Sequence, residues 1–153
     1  MNPDKVYVLY ATDRLALQTD GGLRYANGQR GHETSFGNYI VTLAPGRDPG
    51  TDGRSSVTAV SPEADTSWAA RTQGQAVLLF VHGYNTSFED AIKKAAEVKA
   101  DMPWEGPIVA FSWPSYGDVI DYTGDEDMYQ ESIPGFLHTL NVLQVYARIC
   151  PLS

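Results

Sequence analysis

The chain has 153 residues, a length typical of one domain, and its 42% hydrophobic content is enough for a packed core. A net charge of −8 argues against nonspecific binding to nucleic acid or anionic membranes, because few cations are available to neutralise phosphates. The single cysteine, Cys150, excludes an intrachain disulfide and a cysteine-rich zinc site. No signal peptide is evident, and the longest aliphatic stretch, residues 76–81, is too short to span a bilayer. We therefore expect a cytoplasmic protein without a metal, a cofactor, a nucleic-acid partner or a membrane partner.

The first 60 residues predict two or three strands separated by polar segments. Residues 6–11 and 39–43 are rich in β-branched and aromatic side chains, and residues 56–60 form a third, shorter run. The glycine-rich segment 12–38 and the polar segment 61–74 are interpreted as loops.

From residue 76 onward the pattern becomes that of a parallel strand-helix-strand unit. Residues 76–81 and 107–112 are apolar on both faces, which predicts strands that are buried from both sides. Between them, apolar residues recur at helical spacing from Phe88 to Met102, and Pro103 ends the helix. Thr86 and Glu89 have the spacing of a capping box at its start.

A second helix is predicted near the C-terminus. Acidic residues 125–127 suit a helix N-terminus, and Pro134-Gly135 interrupts the pattern. An apolar stripe then follows at spacings of three and four: Ile133, Phe136, Leu137, Leu140, Leu143 and Tyr146. The predicted fold class is α/β. Residues 1–153 form one domain, with strands in 1–60 and a strand-helix-strand-helix unit in 76–148.

The turn His82-Gly83-Tyr84-Asn85 is the strongest candidate for a functional site. It leaves the carboxyl end of a buried strand and enters a helix N-terminus, where ligands gather in open α/β sheets and backbone amides can hold an oxyanion. Ser112, Trp113 and Ser115 follow the neighbouring strand and are candidate pocket residues, although core packing is the commoner role for tryptophan. A serine paired with His82 would be needed for acyl transfer. Hydroxyls at strand ends usually cap turns, however, and we expect His82 to bond to backbone.

The other titratable residues are assigned no role. His32 and His138 have no evident partner in the sequence, and we expect them at the surface or half buried. The acidic residues near the C-terminal helix do not follow the EF-hand spacing, so we expect a solvated face there and no calcium site. They are Asp118, Asp121, Asp125, Glu126 and Asp127.

Two motifs resemble a known family. They are Val-Leu-Leu-Phe-Val-His-Gly-Tyr-Asn-Thr-Ser-Phe at 77–88 and Val-Ala-Phe-Ser-Trp-Pro-Ser-Tyr-Gly at 109–117, and they resemble α/β-hydrolase-fold proteins of unknown function of the DUF900 type. Residues 10–14 and 39–41 resemble the entry to that domain less specifically. The resemblance implies the N-terminal part of an α/β-hydrolase fold, with a mixed sheet and flanking helices. It also implies an esterase-type serine hydrolase of unknown substrate, in which the Tyr84 amide supplies one oxyanion-hole donor.

The sequence departs from that family at the nucleophile. Members continue into a further strand and a G-x-S-x-G elbow, and these 153 residues contain no such motif. We therefore expect a truncated or decayed member that is inactive alone, and no catalytic residue is assigned. The alternative is a noncatalytic binding or assembly module that uses the sheet edge and the His-Gly-Tyr turn.

The absence of the further strand also predicts that one edge of the sheet is unpaired. In the α/β-hydrolase order, the strand at 76–81 pairs with the strand at 107–112 on one side and with the missing fifth strand on the other. An uncharged aliphatic strand with an open edge is prone to pair with another chain. Three outcomes are open: the C-terminal helix covers the edge, two copies pair there, or the chain aggregates. We expect self-association, because a pair of strands recovers backbone hydrogen bonds that a helix cannot supply.

Overall fold

The described part of the chain is a five-stranded mixed sheet with helices on both faces. The computed structural model describes residues 5–44, 46, 48, 55–115 and 130–147. The strands are β1 (Lys5–Thr19), β2 (Gly22–Thr42), β3 (Ser56–Glu63), β4 (Leu78–Val81) and β5 (Ile108–Ser112). The helices are α1 (Asp65–Ala70), α2 (Phe88–Asp101) and α3 (Ile133–Tyr146). The strand order is β3-β2-β1-β5-β4, in which β1, β5 and β4 are parallel and β1, β2 and β3 are antiparallel. The predicted α/β class with a mixed sheet is confirmed.

The sheet separates two hydrophobic clusters, because successive side chains of a strand point to opposite faces. The first cluster joins the sheet to α2 and includes Val8, Tyr10, Ile92, Ile108 and Ala110. The second joins the opposite face to α1 and α3 and includes Leu9, Trp68, Val109, Phe111 and Leu143. No helix in the described residues is long and apolar enough to cross a membrane.

The strand-helix-strand unit is present with small shifts from the prediction. All five residues of β5 are buried, and α2 ends at Asp101, just before Pro103, as predicted. The helix cap lies one residue later than predicted, since the hydroxyl of Ser87 accepts the Asp90 amide at 3.1 Å. Thr86 instead belongs to the preceding turn, where its amide donates to the hydroxyl of Ser115 at 3.0 Å.

The loop predicted over residues 12–38 is wrong, because these residues continue β1 and β2 as a long antiparallel hairpin. The hairpin turns at Asp20-Gly21, and Gly22 after it has a φ of 105°, which favours glycine. An Asp-Gly pair is a strong hairpin signal, but the polar residues of this ribbon, buried near the sheet and exposed at the tip, hide the alternation that marks a half-buried strand. The loop predicted over 61–74 is also wrong in part. β3 runs to Glu63 and the short helix α1 follows it.

The predictions for β4 and for the C-terminal helix need correction as well. β4 is shorter than predicted and lies at the edge of the described sheet, where the side chain of Val81 is 45% exposed. Pro134 lies in the first turn of α3 and therefore begins this helix, where its missing N–H costs nothing. Half of the predicted apolar stripe is exposed: Ile133, Leu137 and Leu140. Residues 118–127 and Cys150 lie outside the described residues.

Gly135 allows α3 to approach β1 closely. A Cβ atom at this position would overlap both carboxylate oxygens of Asp13. Asp13 cannot easily swing away, because Arg30 donates to one oxygen at 3.1 Å and Thr34 to the other at 2.8 Å. The contact therefore requires a residue without a side chain.

Replacing Gly135 by alanine tests this contact. In an unobstructed helix, Gly→Ala stabilises by about 1 kcal/mol. Here we expect Gly135→Ala to lower the free energy of unfolding by roughly 1–3 kcal/mol through overpacking, measured by urea denaturation. The exposed control Asn141→Ala on the same helix should change it by less than about 0.5 kcal/mol. A stabilised Gly135→Ala chain would show that α3 does not meet Asp13 in this way.

Candidate active site

A buried positive charge, Arg14, lies beside the candidate turn. Its side chain is fully buried. Arginine is almost never fully buried unless its charge has partners. Register shifts on both sides of Arg14 interrupt the pairing of β1 with β2. Such irregularities redirect side chains, and this one places the guanidinium beyond the carboxyl ends of β4 and β5.

The guanidinium of Arg14 donates hydrogen bonds to three separate segments. Nη1 donates to the Ala26 carbonyl of the hairpin and to the Ser115 carbonyl after β5, both at 3.0 Å. Nη2 donates to the Thr86 carbonyl, at the end of the turn before α2, at 2.6 Å. Nε donates to the hydroxyl of Ser112 at 2.8 Å. One side chain thus holds the hairpin, the turn and the end of β5 together.

The imidazole of His82 is fixed in the same network. Nε2 lies 3.1 Å from the backbone amide of Trp113 and 3.2 Å from its carbonyl. Nδ1 lies 2.7 Å from the carbonyl of Gly83. The two rings stack with centroids 4.9 Å apart, and the indole N–H of Trp113 donates to the His82 carbonyl at 3.0 Å. The contact to backbone expected for His82 is therefore present.

The turn between β4 and α2 combines a buried start with an open middle. His82 is buried, whereas Gly83 is exposed, and a Cβ atom at Gly83 would meet nothing within 4 Å. Asn85 has a φ of 56°, a left-handed conformation that asparagine tolerates better than most residues. The turn is thus open to solvent at Gly83, before the N-terminal end of α2, where the helix dipole is positive.

Ser112 and His82 form a hydrogen-bonded pair, with the serine Oγ 3.1 Å from Nε2. Nε of Arg14 donates to the same oxygen at 2.8 Å. Ser112 has no exposed surface and His82 is 5% exposed. A nucleophile must touch its substrate, and this hydroxyl does not reach solvent.

Ser115 is likewise fully buried. Its carbonyl accepts both from Arg14 and from the Gly28 amide, at 3.0 Å each. Three cavities lie at or beside the turn, and none of their walls contains Ser112 or Ser115, whereas two of them contain Trp113. Of the three candidate pocket residues, the structure therefore brings Trp113 alone to a cavity wall.

Two buried phenols pack beneath the first residue of α2. The hydroxyls of Tyr10 and Tyr25 lie 2.7 Å apart, and both rings contact Phe88. Burial raises the pKa of Tyr10 and of Tyr25 above the usual value for tyrosine. Both phenols therefore stay protonated at neutral pH and have the role of packing groups.

The remaining histidines are at the surface. His32 is exposed, and Nε2 of half-exposed His138 lies 3.5 Å from a carboxylate oxygen of Asp65. Within the described residues, no three His, Cys, Asp or Glu side chains are grouped as metal ligands would be.

Sequence reasoning did not identify Arg14 as part of the site, since it was assigned to a loop. The available signal was the run Thr12-Asp13-Arg14, polar and charged, directly after an apolar strand. Such a run inside a strand that continues indicates buried polar contacts. Without the register of the hairpin, the sequence could not show which segments these residues meet.

One protein-family model matches the part of the chain that contains the turn. The family model described as an alpha/beta hydrolase of unknown function (DUF900) matches residues 61–149, more than half of the chain. No curated protein and no solved structure gave a match. The matched range contains β4, the turn at 82–85, α2 and β5, so the chain belongs to the α/β-hydrolase family of unknown function DUF900.

Proposed function

We propose that this domain carries the oxyanion-binding turn of an esterase-type serine hydrolase, and that the 153-residue chain alone does not hydrolyse esters. The observation that carries the proposal is the position of the turn at 82–85. It connects the carboxyl end of a parallel strand to the capped N-terminus of α2 and is open to solvent at Gly83. In such a position, backbone amides and the helix dipole favour a developing negative charge on a substrate oxygen.

The rigidity of the turn supports this role. Donors that stabilise a transition state are effective when they are held in place before the reaction begins. The imidazole of His82 is bonded on both ring nitrogens, and the Thr86 carbonyl at the far end of the turn is bonded by Arg14. The turn is therefore fixed at both ends by buried groups.

The second half of the proposal concerns Ser112 and His82. Their 3.1 Å contact has the length of a nucleophile–base hydrogen bond. Burial of both groups under Trp113 and Arg14 supports a structural role, because an ester carbonyl has no route to the serine oxygen. The G-x-S-x-G motif that would carry an accessible nucleophile is not among these 153 residues.

Ester hydrolysis tests the proposal directly. We expect the purified chain to release p-nitrophenol from p-nitrophenyl butyrate no faster than the Ser112→Ala variant does. We also expect a fluorophosphonate probe to leave no adduct on Ser112. Circular dichroism of both proteins serves as the folding control. Turnover that disappears in Ser112→Ala, or a labelled Ser112, would show that the buried pair opens and acts as a catalytic site.

A second candidate function is an assembly module, and the edge position of β4 favours it. Leu78 donates its amide to the Pro107 carbonyl at 3.1 Å, so alternation directs the backbone groups of Leu79 and Val81 away from β5. β4 carries no charged residue that would discourage pairing. A second copy of the chain could add its own β4 there about a two-fold axis, which recovers hydrogen bonds that water now satisfies.

A lysine at the end of β4 tests the assembly proposal. Leu79 packs in the cluster beneath α3, so Val81, which is 45% exposed, is the better position. We expect the wild-type chain to form dimers at high micromolar concentration in light scattering, and Val81→Lys to remain monomeric with an unchanged circular dichroism spectrum. The control Val145→Lys on α3, at a side chain that is 71% exposed, should dimerise like the wild type. A wild-type chain that is monomeric and folded throughout would contradict assembly through this edge.

A further inference from the structure

An apolar cavity of about 420 Å³ lies between the ends of β4 and β5 and the first turns of α3. Its hydrophobic wall consists of Val81, Phe111, Trp113, Ile133, Phe136 and Leu137. Ser132 lies in the same wall, and its buried hydroxyl has no hydrogen-bond partner among the described residues. A largely apolar wall with a small number of polar atoms is typical of sites that bind small organic ligands.

This cavity adjoins the turn at 82–85. A smaller cavity of about 190 Å³ is lined by Val81, His82, Gly83, Tyr84 and Trp113. Val81 and Trp113 belong to the walls of both cavities, so the apolar space and the turn lie side by side.

We propose that the apolar cavity binds the hydrocarbon chain of an acyl group whose carbonyl oxygen lies at the His82–Asn85 turn. The inference rests on the proposed function and adds the substrate class: esters of medium-chain aliphatic acids, not acetates or charged acyl groups. The shape of the site carries this assignment. The polar end of such a ligand meets backbone amides, and its apolar end meets six hydrophobic side chains.

The charges around the turn limit where an acyl chain can lie. A third cavity, of about 540 Å³, contains His82 and Gly83, and its wall carries Lys93 and Lys94 together with Asp90 and Glu97. The formal charges of these four side chains cancel, but the wall is strongly polar and does not suit a hydrocarbon chain. By contrast, the lining of the apolar cavity contains no charged residue, so a charged acyl chain would lose its hydration without compensation.

Binding of simple ligands tests the cavity without requiring catalysis. Octanoate, butyrate and 1-octanol are titrated into the isotopically labelled chain and followed by nuclear magnetic resonance. Each buried methylene contributes about fourfold in affinity, so octanoate should bind at least ~10-fold more tightly than butyrate even if part of its chain stays exposed. A ratio near one would overturn the inference.

Two glutamate variants locate the binding site on α3. Leu137 lines the cavity and Val145 does not, and both side chains are more than half exposed, at 52% and 71%, so the fold should tolerate either change. We expect Leu137→Glu to abolish binding of octanoate and of 1-octanol, and Val145→Glu to leave both unchanged. Circular dichroism checks the fold of each variant. Octanoate binding that survives Leu137→Glu would overturn the inference. So would a wild-type chain that binds no ligand and forms a dimer that Leu137→Glu dissociates, because the apolar surface would then be a contact between two copies.

The alcohol separates this inference from the proposed function. 1-Octanol has the apolar chain without the carboxylate, so its binding reports the cavity alone. Gly83→Ala adds a methyl group where the turn is open, and we expect it to weaken octanoate binding without affecting 1-octanol. If 1-octanol binds in a Leu137-dependent way but Gly83→Ala leaves octanoate unaffected, the cavity is confirmed and the oxyanion-binding turn is not.

Discussion

A guanidinium group buried away from water must find acceptors for its N–H groups, and Arg14 finds them on three segments that are distant in sequence. The carbonyls of Ala26, Thr86 and Ser115 belong to the hairpin, to the turn before α2 and to the segment after β5. None of the three carbonyls can be removed by mutation, because they are backbone groups. If the guanidinium were lost, several buried acceptors would lose their donor at once. Arg14 is therefore the one side chain that contacts all three segments, and the amides of Gly28 and Thr86, which donate to Ser115, supplement it.

The same guanidinium contact explains why the candidate serine and histidine are held rigidly and buried. The oxygen of Ser112 accepts from Arg14 and lies 3.1 Å from Nε2 of His82, so this buried serine is part of the network. The stacked ring of Trp113 lies against the imidazole and forms part of the wall of the adjoining cavities. What remains open to solvent is the backbone of the turn at Gly83. The geometry thus separates the buried residues that support the turn from the part of the turn that is exposed.

The sequence predicted those parts of the fold that depend on local periodicity. The apolar run of β5 and the amphipathic spacing of α2 both follow from short-range patterns, and the turn at 82–85 was found because it lies between β4 and α2. The long hairpin was missed, since its exposed strands lack the alternation that a buried face imposes, and α1 is too short for a periodic signal. Arg14 was missed for a different reason. Its function arises from contacts with residues 12 to 101 positions away, which no local pattern contains.

Arg14→Met tests directly whether the guanidinium holds these segments, through its effect on the free energy of unfolding. Methionine keeps much of the apolar stem but donates no hydrogen bond, so the carbonyls of Ala26 and Thr86 lose this donor and that of Ser115 keeps only the Gly28 amide. We expect a loss of at least about 3 kcal/mol in urea denaturation, as when one partner of a buried charged contact is removed. Arg71→Met provides the matched control. Arg71 is 47% exposed and pairs with Glu63 at the surface, so its loss should cost no more than about 1 kcal/mol. Equal effects of the two substitutions would contradict the claim that Arg14 holds the site together.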